Sequence, residues 1–89
     1  MSYHYADFKS ALFTDKGQRE LLKVRDHAFA LIDHSGAATM ERIMTASDGD
    51  TWTQMSYVDR LVELGDLIQV SSGKESTQYR CFRRKVRSA

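Results

Sequence analysis

Few side chains in this sequence are of types that do chemistry, and they are scattered. Cys81 is the single cysteine among 89 residues, so no internal disulfide can form, which fits a reducing cytoplasm. Arg80 and Arg83 stand close enough in sequence to lower a thiol pKa and make a redox sensor. The alternation of Cys81 with Tyr79 along an extended segment reads more simply as a small buried hydrophobe. His27 and His34 lie seven residues apart, about two helical turns, too far to share a metal in most geometries. His4 is distant from both. Asp48 and Asp50 flank Gly49, and two acids in a turn read as a helix entry rather than a catalytic pair. There is no nucleophile–base motif and no phosphate-cradling glycine loop. An enzyme is not expected, nor a metal, nor a cofactor; what remains is binding.

Charge points to where binding would occur. The net charge is only +1. Residues 1–73 carry seven Lys/Arg against eleven Asp/Glu, a net of −4, whereas residues 74–89 carry six basic residues against Glu75 alone, a net of +5. A basic end on an acidic body suggests a local anionic contact; the plain alternative is a solvated tail. No run approaches the roughly 18 apolar residues of a membrane span, and "MSYHYADFKS" has no signal-peptide core. A hydrophobic fraction of 42% suits one globular domain.

The elements that must position these groups follow from periodicity. Tyr5, Phe8 and Leu12, with Ala11, predict a short amphipathic helix. Asp15 and Gln18 fit a capping box, although Gly17 weakens that start by about 1 kcal/mol. From Lys16 to His34 one face carries Leu21, Val24, Ala28, Leu31 and Ile32, widened by Leu22 and Phe29, and Gly36 stops it. Thr39 caps a short helix with Met40, Ile43 and Met44 on one face. After "SDGD" another helix begins near Thr51, with Met55, Val58, Leu61 and Val62 inward, and Gly65 ends it. The period then drops to two: Ile68 and Val70 point one way, Leu67 and Gln69 the other. "SSGKES" is a loop and "TQYRCFR" a returning strand, so the two strands form a hairpin that must lean on the helices. Trp52 is either core under the turn or a surface anchor for a partner.

This order, α+β and mainly α, resembles a winged helix-turn-helix domain. The resemblance is carried by "TWTQMSYVDRLVELGDLIQV" and "SSGKESTQYRCFR". In that family a recognition helix runs through a Leu-x-x-x-Gly-x-Leu/Ile junction into the wing, here Leu61, Gly65, Leu67 and Ile68. "ATMERIM" resembles the preceding helix and "QRELLKVRDHAFALID" the first supporting helix. The domain would cover residues 16–84, with 1–15 a helical extension and 85–89 a basic tail, and it is most similar to small bacterial multiple-antibiotic-resistance-type regulators.

The resemblance implies a three-helix core with a C-terminal β-hairpin wing and a role as a cytoplasmic transcriptional regulator binding double-stranded DNA. The recognition helix would enter the major groove and the wing would hold phosphates. Carried over, the groove-facing residues are Thr51, Thr53, Gln54, Ser56, Tyr57 and Arg60. The wing and tail contribute Lys74, Arg80, Arg83, Arg84 and Lys85. Two features depart from the family: Arg60 is the sole basic residue of the recognition helix, and the wing lacks an Asp-x-Arg pattern. They favour the alternative, a winged-helix protein–protein interaction module, since fold alone does not settle function. The N-terminal cluster Tyr3, Tyr5, Phe8, Leu12 and Phe13 either packs on its own domain or forms a homodimer surface, the latter matching two-fold DNA sites.

Overall fold

The computed structural model describes residues 3–70 and 80–85. Lys74, the "SSGKES" loop and the end of the basic tail lie outside the described residues. The chain begins with a one-turn helix, α1 (Tyr5–Phe8), which continues into a 3-10 segment, Lys9–Phe13. Helix α2 (Asp15–Ser35), strand β1 (Ala38–Thr39), helices α3 (Met40–Met44) and α4 (Thr51–Leu64), and strands β2 (Leu67–Gln69) and β3 (Cys81–Arg84) follow. The result is mainly helical with one small antiparallel sheet.

Helix α2 does not start with the expected capping box. Thr14 is its N-cap, and the Thr14 hydroxyl accepts the Gly17 N–H at 3.0 Å. The Gln18 amide instead donates to the Leu12 carbonyl at 2.6 Å. The 3-10 segment is packed so closely on the first turn of α2 that a Cβ at Gly17 would lie 2.3 Å from the Ala11 carbonyl oxygen. Glycine there is therefore a packing requirement, and its helix-propensity penalty is offset by the approach it permits. Along α2, Leu21, Val24, Ala28 and Ile32 are buried as the periodicity predicts. Leu22 does not widen that face: it is 49% exposed.

Strand β1 is absent from the sequence reading, because two residues carry no period. It pairs antiparallel with β3, Ala38 opposite Phe82 and Thr39 opposite Cys81. Thr39 also caps α3, its hydroxyl accepting the Arg42 N–H at 3.4 Å. One threonine thus ends a strand and begins a helix. Strand β3 pairs on its other edge with β2, giving the sheet order β1-β3-β2. The expected hairpin is therefore two-thirds of a three-stranded sheet. This arrangement relieves the weakness of an isolated hairpin.

Helix α4 is capped as the Asp48–Asp50 turn suggests. The Asp50 carboxylate accepts the Thr53 N–H at 2.8 Å, and this contact holds the Asp50 pKa below its ordinary value. At the other end Gly65 takes φ 86°, a left-handed value that a side chain would strain. Its N–H donates to the Val62 carbonyl at 3.0 Å and the Asp66 N–H to Leu61 at 2.9 Å. These bonds close the last turn and send the chain directly into β2. Leu67 then enters the core, while Val70 is exposed. The core lies between α2, α3, α4 and the sheet, where Phe82, Val58 and Ile43 are fully buried. Among the described residues, no helix is long and apolar enough to cross a membrane.

Candidate nucleic-acid interface

Helix α4 has two working faces. Met55, Val58 and Leu61 face the core and are buried. At 100° per residue, Trp52, Ser56, Asp59 and Glu63 form a second stripe about 130° away. In a groove-reading helix that stripe would be solvent-facing. Here the N-terminal segment packs against Trp52, Asp59 and Glu63 of that stripe. The Tyr3 hydroxyl donates to Asp59 at 2.5 Å and the Tyr5 hydroxyl to Glu63 at 3.1 Å. Lys9 pairs with the same Glu63 at 2.9 Å. Trp52 lies half-buried between aromatic rings, its centroid 6.4 Å from Tyr3 and 6.1 Å edge-on from Phe8. Trp52 packs against the core, as one of the two expected readings had it, and also receives the rings of the N-terminal segment.

The electrostatics follow from these contacts. Burial, then the bond to Asp59, pushes the Tyr3 phenol well up. Burial and the bond to Glu63 push Tyr5 up to about 12. Lys9 and Arg60 together hold Glu63 down at about 2. Arg60 reaches Glu63 at 2.5 Å and lies over the Phe13 ring, 5.0 Å from its centroid. The Arg60 Nε is buried and has no hydrogen-bond partner among the described residues.

The residues expected to face a groove are thus dispersed. Thr51 is exposed at the start of α4, and Thr53 is half-buried. Gln54 is turned inward, its amide donating to the Ser47 carbonyl at 2.6 Å. Ser56 and Tyr57 do not face solvent, being 1% and 5% exposed. Ser56 is buried, and its hydroxyl donates back to the Thr53 carbonyl at 2.5 Å. Tyr57 is interior core, and its phenol is pushed up by burial and by the charge of Glu20. Arg60 is present on the expected side, but its charge is already matched by Glu63.

The expected phosphate-holding residues divide in a similar way. The Arg80 guanidinium is bound to Asp59 at 2.8 Å and to Gln69 at 2.9 and 3.1 Å, with its face on Phe82. It ties β3 to α4, so its role in this packing is structural. Arg84 grips both oxygens of Asp33, at 3.0 and 3.1 Å, and stacks on Phe29 at 3.9 Å. Arg83 and Lys85 are exposed, and among the described residues neither pairs with a carboxylate. These two extend the basic surface that leads into the tail.

The N-terminal aromatics pack on their own domain, the first of the two expected outcomes. Leu12 is fully buried in the core, and only Phe13, 56% exposed, presents a large open apolar surface in that segment. Sequence reasoning did not find the Tyr3–Asp59–Arg80 and Tyr5–Glu63–Arg60 chains. The one available signal was the i, i+4 carboxylate pair on α4, but nothing in the sequence links that pair to phenols more than fifty residues away. Cys81 is half-buried in β3. His27 Nε2 lies 3.0 Å from the Arg42 carbonyl oxygen, a contact that positions α2 against α3. No family model matches the chain, and no match is found among curated proteins or among solved structures.

Proposed function

We propose that this chain is a winged helix-turn-helix module that binds double-stranded DNA by its phosphate backbone, with a role in transcriptional regulation in the cytoplasm. The supporting observation is the order α2–β1–α3–α4–β2–β3 with the sheet order β1-β3-β2. In that order the last strand carries Arg83, and the residue that follows it is Lys85, both exposed and both within the +5 segment. In this reading β2 and β3 are the stem of the wing, and α4 serves as scaffold while the N-terminal segment packs against it. Phosphate contacts fix register but carry no sequence information, so binding is expected to be weakly sequence-selective. An anisotropy titration against a random-sequence duplex tests the proposal. Affinity should fall steeply with salt, and Arg83→Ala with Lys85→Ala should reduce the log–log slope by about 2. Absence of duplex binding at low salt would refute it.

The second reading is a protein–protein interaction module. It is supported by the charge around α4, where Asp48, Asp50 and Glu63 are exposed and Arg60 is neutralised. Phosphates would be repelled there. A partner captured without nucleic acid, and lost when exposed α4 residues such as Thr51 or Leu64 are changed, would favour it.

A further inference from the structure

A cleft of about 360 Å³ opens where α2, the end of α4 and the end of β3 meet. Its walls carry Arg25 and Phe29 from α2, Leu64 and Asp66 around the end of α4, and Arg84 with the following Lys85. Three cations therefore line it against one carboxylate. The acids that pair with the two arginines, Asp26 and Asp33, are not part of the walls.

The three cations are only partly engaged. Arg25 uses Nε and Nη2 on one oxygen of Asp26, at 3.3 and 3.1 Å. Arg84 uses Nη1 alone on Asp33. Among the described residues, Arg25 Nη1, Arg84 Nε and Nη2, and Lys85 Nζ make no hydrogen bond. Arg25, Phe29 and Asp33 follow one another at four-residue steps along one face of α2. Arg84 lies with its face 3.9 Å from the Phe29 ring centroid and one nitrogen on Asp33. These contacts fix the guanidinium plane, so its remaining edge is pre-organised for an acceptor. The Lys85 N–H meets the Asp66 carbonyl at 3.5 Å, which sets the backbone of Lys85 beside the cleft. The end of α4 opposes an anion only in part. Free carbonyls in a last helical turn repel negative charge, but those of Leu61 and Val62 accept the N–H groups of Asp66 and Gly65.

Four donor nitrogens on three cations exceed what the two oxygens of a carboxylate can satisfy, and they suit the three or more oxygens of a phosphate. We propose that this cleft is a phosphate-group site, with Arg25, Arg84 and Lys85 as donors and Phe29 as the platform that holds Arg84. The group can come from a free phosphate compound or from a nucleic-acid backbone. Only the second source rests on the duplex-binding reading above.

The test uses the full chain. Amide spectra are recorded as inorganic phosphate is added, with chloride at equal ionic strength as control. Phe29, Leu64, Asp66 and Lys85 should shift with phosphate and not with chloride. Arg25→Gln and Lys85→Gln should each weaken phosphate binding by about threefold to tenfold, the size of a charge-assisted bond screened by solvent. Asp66→Asn removes the one opposing charge and should tighten binding by about twofold to fivefold. A gain in affinity does not arise from damage to the fold, so this variant separates charge from structure. In parallel, Arg25→Gln is titrated against a random-sequence duplex, where a backbone phosphate in the cleft predicts a log–log salt slope smaller by about 1. Phosphate-specific shifts with an unchanged duplex slope identify a free phosphate compound as the source. A smaller slope, with or without those shifts, identifies the nucleic-acid backbone. If phosphate does no more than chloride and Arg25→Gln binds duplex with the parent's slope, the site is refuted and the duplex reading stands. If phosphate binds as described but no duplex does, the duplex reading fails and the site stands. If neither binds, both fail.

Discussion

Gly17→Ala has an effect whose sign separates local propensity from tertiary packing. In an open helix the change stabilises by about 1 kcal/mol, because alanine loses less backbone entropy. Here the new Cβ would stand 2.3 Å from the Ala11 oxygen, 2.8 Å from the Leu12 oxygen and 2.9 Å from the Leu12 carbonyl carbon. All three are backbone atoms, so no side-chain rotation relieves the clash. The 3-10 segment must move away from α2 by roughly 1 Å, disturbing the Gln18–Leu12 bond and the seat of Leu12 in the core. Overpacking of this kind costs about 1–3 kcal/mol, and the lost packing of Leu12 adds to it. After subtracting the propensity gain, the net destabilisation is about 1–3 kcal/mol. For a domain of this size that lowers Tm by roughly 5–20 °C. Urea denaturation followed by Trp52 fluorescence and by far-UV circular dichroism measures it. A variant more stable than the parent would show that the N-terminal segment does not pack on α2 as described.

Three further outcomes follow from the same contacts. Phe82→Ala removes the ring at the centre of the sheet and should cost about 3–5 kcal/mol by chemical denaturation; a loss under 1 kcal/mol would contradict its burial. Asp50→Ala should cost about 0.5–2 kcal/mol and fray the start of α4, visible as faster amide exchange near Thr53; unchanged exchange there would count against the cap. Glu63 has its pKa lowered from an ordinary 4.5 to about 2, so the stability it gives through Lys9, Arg60 and Tyr5 is present above pH 4.5 and lost as pH falls toward 2. Tyr5 has the opposite sign: raised from 10.0 to about 12, its contribution is intact below pH 10 and lost above it. Trp52 emission should therefore shift at both extremes, and a flat profile from pH 2 to 12 would contradict these contacts.

Periodicity carried most of the fold. Leu21, Val24, Ala28 and Ile32 repeat often enough to define α2, and Gly65 followed by alternating residues marks the passage from α4 to β2. Strand β1 was not legible, since Ala38–Thr39 is shorter than one strand period and exists only because β3 offers an edge. The capping box at Asp15–Gln18 was a plausible local choice, displaced when the 3-10 segment supplied Thr14 as cap and the Leu12 carbonyl as acceptor. The candidate site was less legible than the fold. A helical wheel separates Trp52 and Arg60 from the core face, but it cannot reveal that rings of a distant segment lie against them. Tyr57 was misplaced because a tyrosine outside the main apolar stripe is part of the core here, close to Glu20 of α2. The long-range partners Asp59 and Arg80 depend on register between α4 and β3, which no spacing encodes.

The most direct test of the account is the salt dependence of duplex binding by the parent chain and by the Arg83→Ala, Lys85→Ala variant. The account predicts measurable affinity at low ionic strength, a steep linear fall of log affinity with log salt, and a slope smaller by about 2 in the variant with no change in sequence preference. No binding by the parent, or an identical slope in the two proteins, would contradict it.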